Sequence, residues 1–184
     1  LLTAHAADNT TRWHTYLAMY NTIAVAEAEN NVYAVADGTL YSYGKSDDNI
    51  RVYSRQTGLS DSDVRLIRYN ASTRTLVIAY ANGNIDLMTS DGIYNLPFLK
   101  NTTNIQDKTL NAIDLSGDRA YLSANFGILV IDLKKREVAE TYRLDRRTTA
   151  TALLGGSIYA ATDSGLLSAP TTANLMDVGN WKRV

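Results

Sequence analysis

One turn, recurring at almost regular intervals, restricts this chain more than any other feature. Four times an apolar run of strand length meets a glycine turn and continues into a second strand. The clearest copy is residues 32–36, Asp37-Gly38-Thr39 and residues 40–43; the next is residues 76–80, Ala81-Asn82-Gly83-Asn84 and residues 85–88. The third is residues 120–124, Asn125-Phe126-Gly127 and residues 128–133; the fourth is residues 158–161, Thr162-Asp163-Ser164-Gly165 and residues 166–169. The first apolar residue after each turn is Leu40, Ile85, Ile128 and Leu166, at intervals of 45, 43 and 38 residues. Repeats of this length and strand content mark the blades of a β-propeller. A helical reading fails, because the runs are short, rich in β-branched and aromatic residues, and cut by Gly and Asn-Gly turns.

Each repeat supplies two further strands. The inner ones fall at residues 23–28, 64–69, 110–115 and 151–154, and the outer ones at residues 50–53, 93–96, 138–142 and near Trp181. The expected fold is all-β, a propeller of about four four-stranded antiparallel blades over roughly residues 20–56, 62–98, 109–144 and 150–184. The second strand of each blade is nearly continuously apolar, as burial on both faces requires, with Ala34, Ala36, Ala79, Ala81, Ala160 and Ala161 allowing close approach of neighbouring sheets. Pro97 and Pro170 are both expected just after strands. Trp13-His14-Thr15-Tyr16 reads as an outer strand preceding blade one, and Trp181-Lys182-Arg183-Val184 as the outer strand of blade four. Both would claim one slot in a closed ring, so the sequence reads as part of a larger propeller. Unpartnered end faces carrying Val25, Tyr33, Leu153 and Tyr159 are then expected to pair two half-propellers into a homodimer, with Trp13 and Trp181 near the seams.

The composition excludes several classes of function. A formal net charge of -1 gives no field for nucleic acid, and the absence of cysteine removes disulfides and thiolate metal sites. No apolar run approaches the ~20 residues of a membrane span. Leu1-Leu2-Thr3-Ala4-His5-Ala6 ends in Ala-x-Ala and reads as the tail of a secretory signal (residues 1–6), leaving residues 7–184 as the propeller. Export from the cytoplasm is therefore expected.

No constellation for catalysis stands out. His5 and His14 are the two histidines, no Gly-x-Ser-x-Gly elbow occurs, and Asp47-Asp48-Asn49 lacks the alternation of a calcium loop. The chain therefore reads as a non-enzyme without cofactor or metal. The Lys134-Lys135-Arg136 run is expected to be a solvated blade rim, with an anionic glycan or lipid headgroup as the sharper alternative. Asn9, Asn70 and Asn101 match the Asn-x-Ser/Thr pattern of surface turns. A ligand site would lie where the loops between second and third strands gather at one mouth of the central channel. Those loops carry Asp37, Tyr80, Asn82, Asn84, Asn125, Phe126 and Asp163, beside Ser60, Asp61, Asp107 and Lys108 from the loops entering each blade. Each Asn, Asp and Gly there is equally explained as a turn former.

Two family likenesses arise at these residues. Gly58-Leu59-Ser60-Asp61-Ser62-Asp63-Val64, followed by a strand and a Gly-Leu turn as at Gly165-Leu166, resembles the two-component-regulator propeller repeat of Bacteroidetes sensors. The longer stretch resembles the N-terminal propeller of PorZ-type type IX secretion proteins. It is carried by Trp13 with Val32-Tyr33-Ala34, by residues 76–80 with Asn82-Gly83-Asn84-Ile85-Asp86, and by Tyr121-Leu122-Ser123 with Phe126-Gly127-Ile128. Tyr159-Ala160-Ala161-Thr162 with Gly165-Leu166 completes it. The second resemblance implies an exported, non-enzymatic envelope protein that handles secreted cargo and lipopolysaccharide alongside envelope proteins. The first implies a periplasmic ligand-sensing propeller of a hybrid two-component regulator. Neither transfers a catalytic residue.

Overall fold

The computed structural model describes residues 20–184, so the signal reading of residues 1–6 and the strand expected at Trp13 and Tyr16 lie outside the described residues. Blade one comprises β1 (Thr22–Glu27), β2 (Asn31–Ala36), β3 (Thr39–Gly44) and β4 (Ile50–Tyr53). Blade two comprises β5 (Val64–Asn70), β6 (Thr75–Tyr80), β7 (Ile85–Thr89) and β8 (Gly92–Leu96), followed by the single helical turn α1 (Phe98–Asn101). Blade three comprises β9 (Leu110–Ser116), β10 (Arg119–Ala124), β11 (Gly127–Asp132) and β12 (Glu137–Arg143). Blade four comprises β13 (Thr148–Leu154), β14 (Ser157–Thr162), β15 (Gly165–Pro170) and the short β16 (Lys182–Arg183). All four are antiparallel meanders in sequence order, as the repeat predicts. Two details differ. Pro170 is the last residue of β15, opposite Ser157, and Ala81 lies just past β6 in the turn.

The repeat is visible in two backbone devices. Every first strand carries an irregularity at its second residue, where Ile23, Arg65, Asn111 and Thr149 fall between paired positions. Such a bulge twists the strand and re-aims its side chains. The residue leaving each second strand then donates its N–H to the loop entering the same blade: Asp37 to the Asn21 carbonyl, Ala81 to Asp63, Asn125 to Thr109 and Asp163 to Arg147. That bond ties the mouth together in all four blades, whatever side chain the turn bears.

Glycines close the hairpins where space or φ demands. Asp37 and Gly38 both have positive φ (49° and 75°), the pair needed for a two-residue turn that matches strand twist. Gly127 has φ 136°, and a Cβ there would stand 2.0 Å from the Tyr142 carbonyl oxygen.

Successive first strands lie side by side, β1 against β5, β5 against β9 and β9 against β13. Among the described residues, three apolar clusters fill the wedges between blades. Val35, Leu40, Leu76 and Ile78 join blades one and two; Val77, Leu87, Leu122 and Ile131 join two and three; Ile128, Val130, Ile158 and Trp181 join three and four. Trp181 is therefore packed against Tyr142, not placed at an open seam. Tyr33 and Leu153 likewise pack into wedges, whereas Val25, Ile23 and Leu154 are among the exposed apolar residues of the end blades.

The basic run is paired. Lys134 meets Asp118 at 2.6 Å, Lys135 meets Glu137 at 3.7 Å, and Arg136 meets Asp91 at 3.3 Å while lying 3.7 Å over the Tyr94 ring. Arg136 thus clasps blade three onto blade two. Asn70 is buried, not a surface acceptor: its amide donates to the Gly117 carbonyl and its oxygen accepts from Thr73 N and Ser72 Oγ.

Candidate functional site

The predicted mouth is most developed over blades two and three. In blade two, Asp61 on the entering loop accepts from Asn82 Nδ2 at 2.6 Å, from Asn84 Nδ2 at 3.3 Å and from Lys100 Nζ at 2.7 Å. Burial works to raise the Asp61 carboxyl, but the bonds from Lys100 and Asn82 prevail and hold it at about 2. Beneath it lies a carboxylate that sequence reasoning passed over. Asp86 is fully buried on β7, and its Oδ2 accepts from Tyr80 Oη at 2.5 Å and from Ser60 N at 2.8 Å. Its Oδ1 accepts from Asn95 Nδ2 at 2.9 Å, and the same amide donates to Asn84 Oδ1 at 2.9 Å. Burial first, and the Asp86 bond second, push the Tyr80 hydroxyl well above the ordinary phenol range.

The chain Asp61–Asn84–Asn95–Asp86–Tyr80 therefore runs from the rim into the core. A signal for it was present: Asp86 interrupts an apolar strand at the position filled by Leu129 in blade three and Leu167 in blade four. Lys100 depends on α1, a turn the repeat does not encode.

Blade three repeats the design with fewer parts. Asn125 Nδ2 donates to Asp107 Oδ2 at 2.7 Å, Thr109 N donates to Asp107 Oδ1 at 3.0 Å, and Asn111 Nδ2 links Asn125 Oδ1 to the Thr148 carbonyl of blade four. The Asn125 bond first, and then those from the Thr109 side chain and backbone, hold the Asp107 carboxyl below its usual range. Lys108 Nζ donates to the Lys100 carbonyl at 2.5 Å, bracing blades two and three. In blade four the loops are joined instead by Arg146 Nη1, which donates to Ser164 Oγ at 2.5 Å.

The seven residues expected at the mouth therefore divide. Asn82, Asn84 and Asn125 join the polar network, and Tyr80 forms its buried end. Asp37 and Asp163 are exposed turn residues of blades one and four. Phe126 is buried in the wedge between blades two and three, away from the polar rim. Among the described residues no cluster of three or more His, Cys, Asp or Glu side chains could hold a metal.

Four meander blades arranged around a common line of first strands, with a hydrogen-bonded polar mouth, define an arc of a β-propeller. The family model of the PorZ N-terminal β-propeller domain of type IX secretion matches residues 32–182. The chain belongs to that family. It is similar to the structure of PorZ, an essential bacterial surface component of the type IX secretion system of Porphyromonas gingivalis. Identity is 36% and the TM-score 0.86, over 94% of this chain and 23% of that one. The chain thus spans under a quarter of that relative. The extracellular domain of BT4673 from B. thetaiotaomicron is similar at 15% identity and TM-score 0.68, covering 89% of this chain and 22% of that one. The dihydro-heme d1 dehydrogenase NirN matches at 15% identity and TM-score 0.61, over 89% of this chain and 37% of that one. These two likenesses concern the fold alone. No curated protein sequence matches the chain.

Proposed function

We propose that this chain is a non-enzymatic binding and scaffold propeller of the cell envelope, acting in type IX secretion at the periplasmic or outer surface of a Gram-negative cell. Its partners on this reading are envelope proteins and an anionic glycan or lipopolysaccharide that accompanies secreted cargo. Membership of the PorZ propeller family carries the proposal. The mouth supports it, because Asp61, Asp86 and Asp107 are each held by two or more donors and serve as struts. A carboxylate so engaged stiffens a recognition surface better than it abstracts protons. The resemblance of residues 58–64 to sensor propeller repeats favours, as a second reading, ligand sensing in a hybrid two-component regulator. The exposed Ile23 and Val25 of blade one and Leu154 of blade four also suit self-association of two chains, measurable by light scattering over a concentration series.

The test is binding of purified lipopolysaccharide to the purified chain, with Asn84→Ala and Asn125→Ala as mouth variants. Binding weakened by both supports the proposal. Turnover of ester, peptide or glycoside substrates that Asp61→Asn abolishes would refute it.

A further inference from the structure

A cleft of about 1150 Å3 lies away from this mouth, between the outer halves of blades one and two. Its origin is legible residue by residue. Toward blade three, blade two presents Val77, Leu87 and Tyr94, and these pack into a closed apolar wedge. The corresponding positions of blade one, set by the strand registers, are Tyr33, Ser42 and Arg51. Ser42, buried and bonded to Tyr53, stands where Leu87 does, and Arg51 stands where Tyr94 does. The lid is missing as well. The turn between β11 and β12 spans Leu133 to Arg136 and lays Arg136 over Tyr94, whereas the turn between β7 and β8 is only Ser90-Asp91. It reaches no equivalent place on blade one. The cleft therefore follows from the difference between these two blades and from a shortened turn in the second, and both of its walls belong to complete blades.

Its surface is that of a recognition site. Tyr33 and Tyr53 stand with ring centroids 6.1 Å apart at 44°, and Tyr69 joins them from blade two. Ser42 Oγ is bonded to Tyr53 Oη at 3.2 Å. At one end Glu29 is fixed by Tyr69 Oη at 2.5 Å and by Arg74 at 3.4 Å. Arg51, by contrast, has no ion pair among the described residues, and it lines the cleft with Asn31, Asp47 and Asn49. The lining charges are Arg51 and Arg74 against Glu29, Asp47 and Asp91, so the net field does not favour a polyanion. Aromatic faces beside planar donors and acceptors of both kinds match a ligand with apolar C–H faces and vicinal hydroxyls.

We infer that the cleft between blades one and two is a binding site for an uncharged oligosaccharide segment, stacked on Tyr33 and Tyr53 and bonded by Arg51. This goes beyond the reading of the mouth and does not depend on it: the residues, the location and the ligand charge all differ.

The test converts the blade-one wall to that of blade two. The full chain, Ser42→Leu and Arg51→Tyr are titrated calorimetrically with maltohexaose, cellohexaose, chitohexaose, polygalacturonate and a Gly-Ser decapeptide, and their melting temperatures are measured. At least one neutral hexasaccharide is expected to bind the full chain. Ser42→Leu, which adds bulk beneath Tyr33 and Tyr53 and removes the hydroxyl bonded to Tyr53, should weaken it at least about tenfold, and the melting temperature checks that the fold persists. Arg51→Tyr should weaken it similarly, while Asn125→Ala at the mouth should leave it unchanged. The inference is overturned if no neutral hexasaccharide binds, if only polygalacturonate or the peptide binds, or if both cleft variants bind like the parent.

Discussion

Asp86 offers the most direct test of how blade two is held together. Its carboxylate is fully buried and satisfies Tyr80 Oη, Ser60 N and Asn95 Nδ2 at once. Asp86→Leu installs the residue that blades three and four carry at this position, so shape is not the obstacle. The cost lies in the donors left behind. Tyr80 is only 1% exposed and Ser60 is half-buried, so two donors lose their acceptor at about 1–3 kcal/mol each. Asn95 is exposed and recovers its bond with water. Destabilisation of about 2–6 kcal/mol is therefore expected for Asp86→Leu. Tyr80→Phe alone should cost about 1.5–3 kcal/mol, the usual range for a bond to a charged acceptor. In the Asp86→Leu background the same Tyr80→Phe change removes an orphaned hydroxyl and should cost almost nothing. Urea unfolding followed by circular dichroism, together with melting temperature at about 2–4 °C per kcal/mol, measures all four corners of the cycle. Additivity of the two changes to within about 0.5 kcal/mol would show that the bond does not matter energetically and refute the reasoning.

Three other outcomes follow from named contacts. Gly127→Ala should lower stability by more than about 2 kcal/mol in thermal melts, since its Cβ meets the Tyr142 carbonyl and its φ of 136° strains any side chain. Arg136→Ala should cost about 1 kcal/mol, read from the shift of the urea midpoint, through loss of the Tyr94 stacking and the exposed Asp91 pair. For pH, Asp61 sits at about 2 against an ordinary 3.8, so its share of stability is present above about pH 4 and fades as pH falls toward 2. Asp61→Asn should flatten that part of an acid-unfolding curve.

The blades could be read from the sequence because they rest on period-two burial and turn chemistry, both of which are local. The strand β6, residues Thr75–Tyr80, is buried at every position and appears in the chain as an unbroken apolar run. Asp37-Gly38 encodes its own turn through two positive φ angles. Local pattern also explains what went astray: it cannot tell an Asn that caps a surface turn from Asn70, whose burial depends on Gly117 of the next blade.

The mouth was legible in outline only, and for a physical reason. The expectation located it by the turns between second and third strands, but the bond common to all four blades is between backbone groups, Asp37 to Asn21 through Asp163 to Arg147. Side chains there are free to differ, and they do. Blade two uses Asp61 with two amides and Lys100, blade three uses Asp107 with Asn125, and blade four uses Arg146 with Ser164. Residue type at the turn therefore says little until its partner on the entering loop is known. Phe126 illustrates the point, since it follows Asn125 in the turn yet faces the wedge of blades two and three. The cleft between blades one and two was hidden for the opposite reason. It arises where blade one differs from blade two, with Ser42 and Arg51 in place of Leu87 and Tyr94, and from a turn two residues long at Ser90-Asp91. Alignment by strand register, rather than by turn, exposes the difference: blade four keeps the pattern of blade one with Tyr159, Ser168 and Lys182, and blade two departs from it. In a protein built from copies, the wedge between two blades is set by how their facing walls differ.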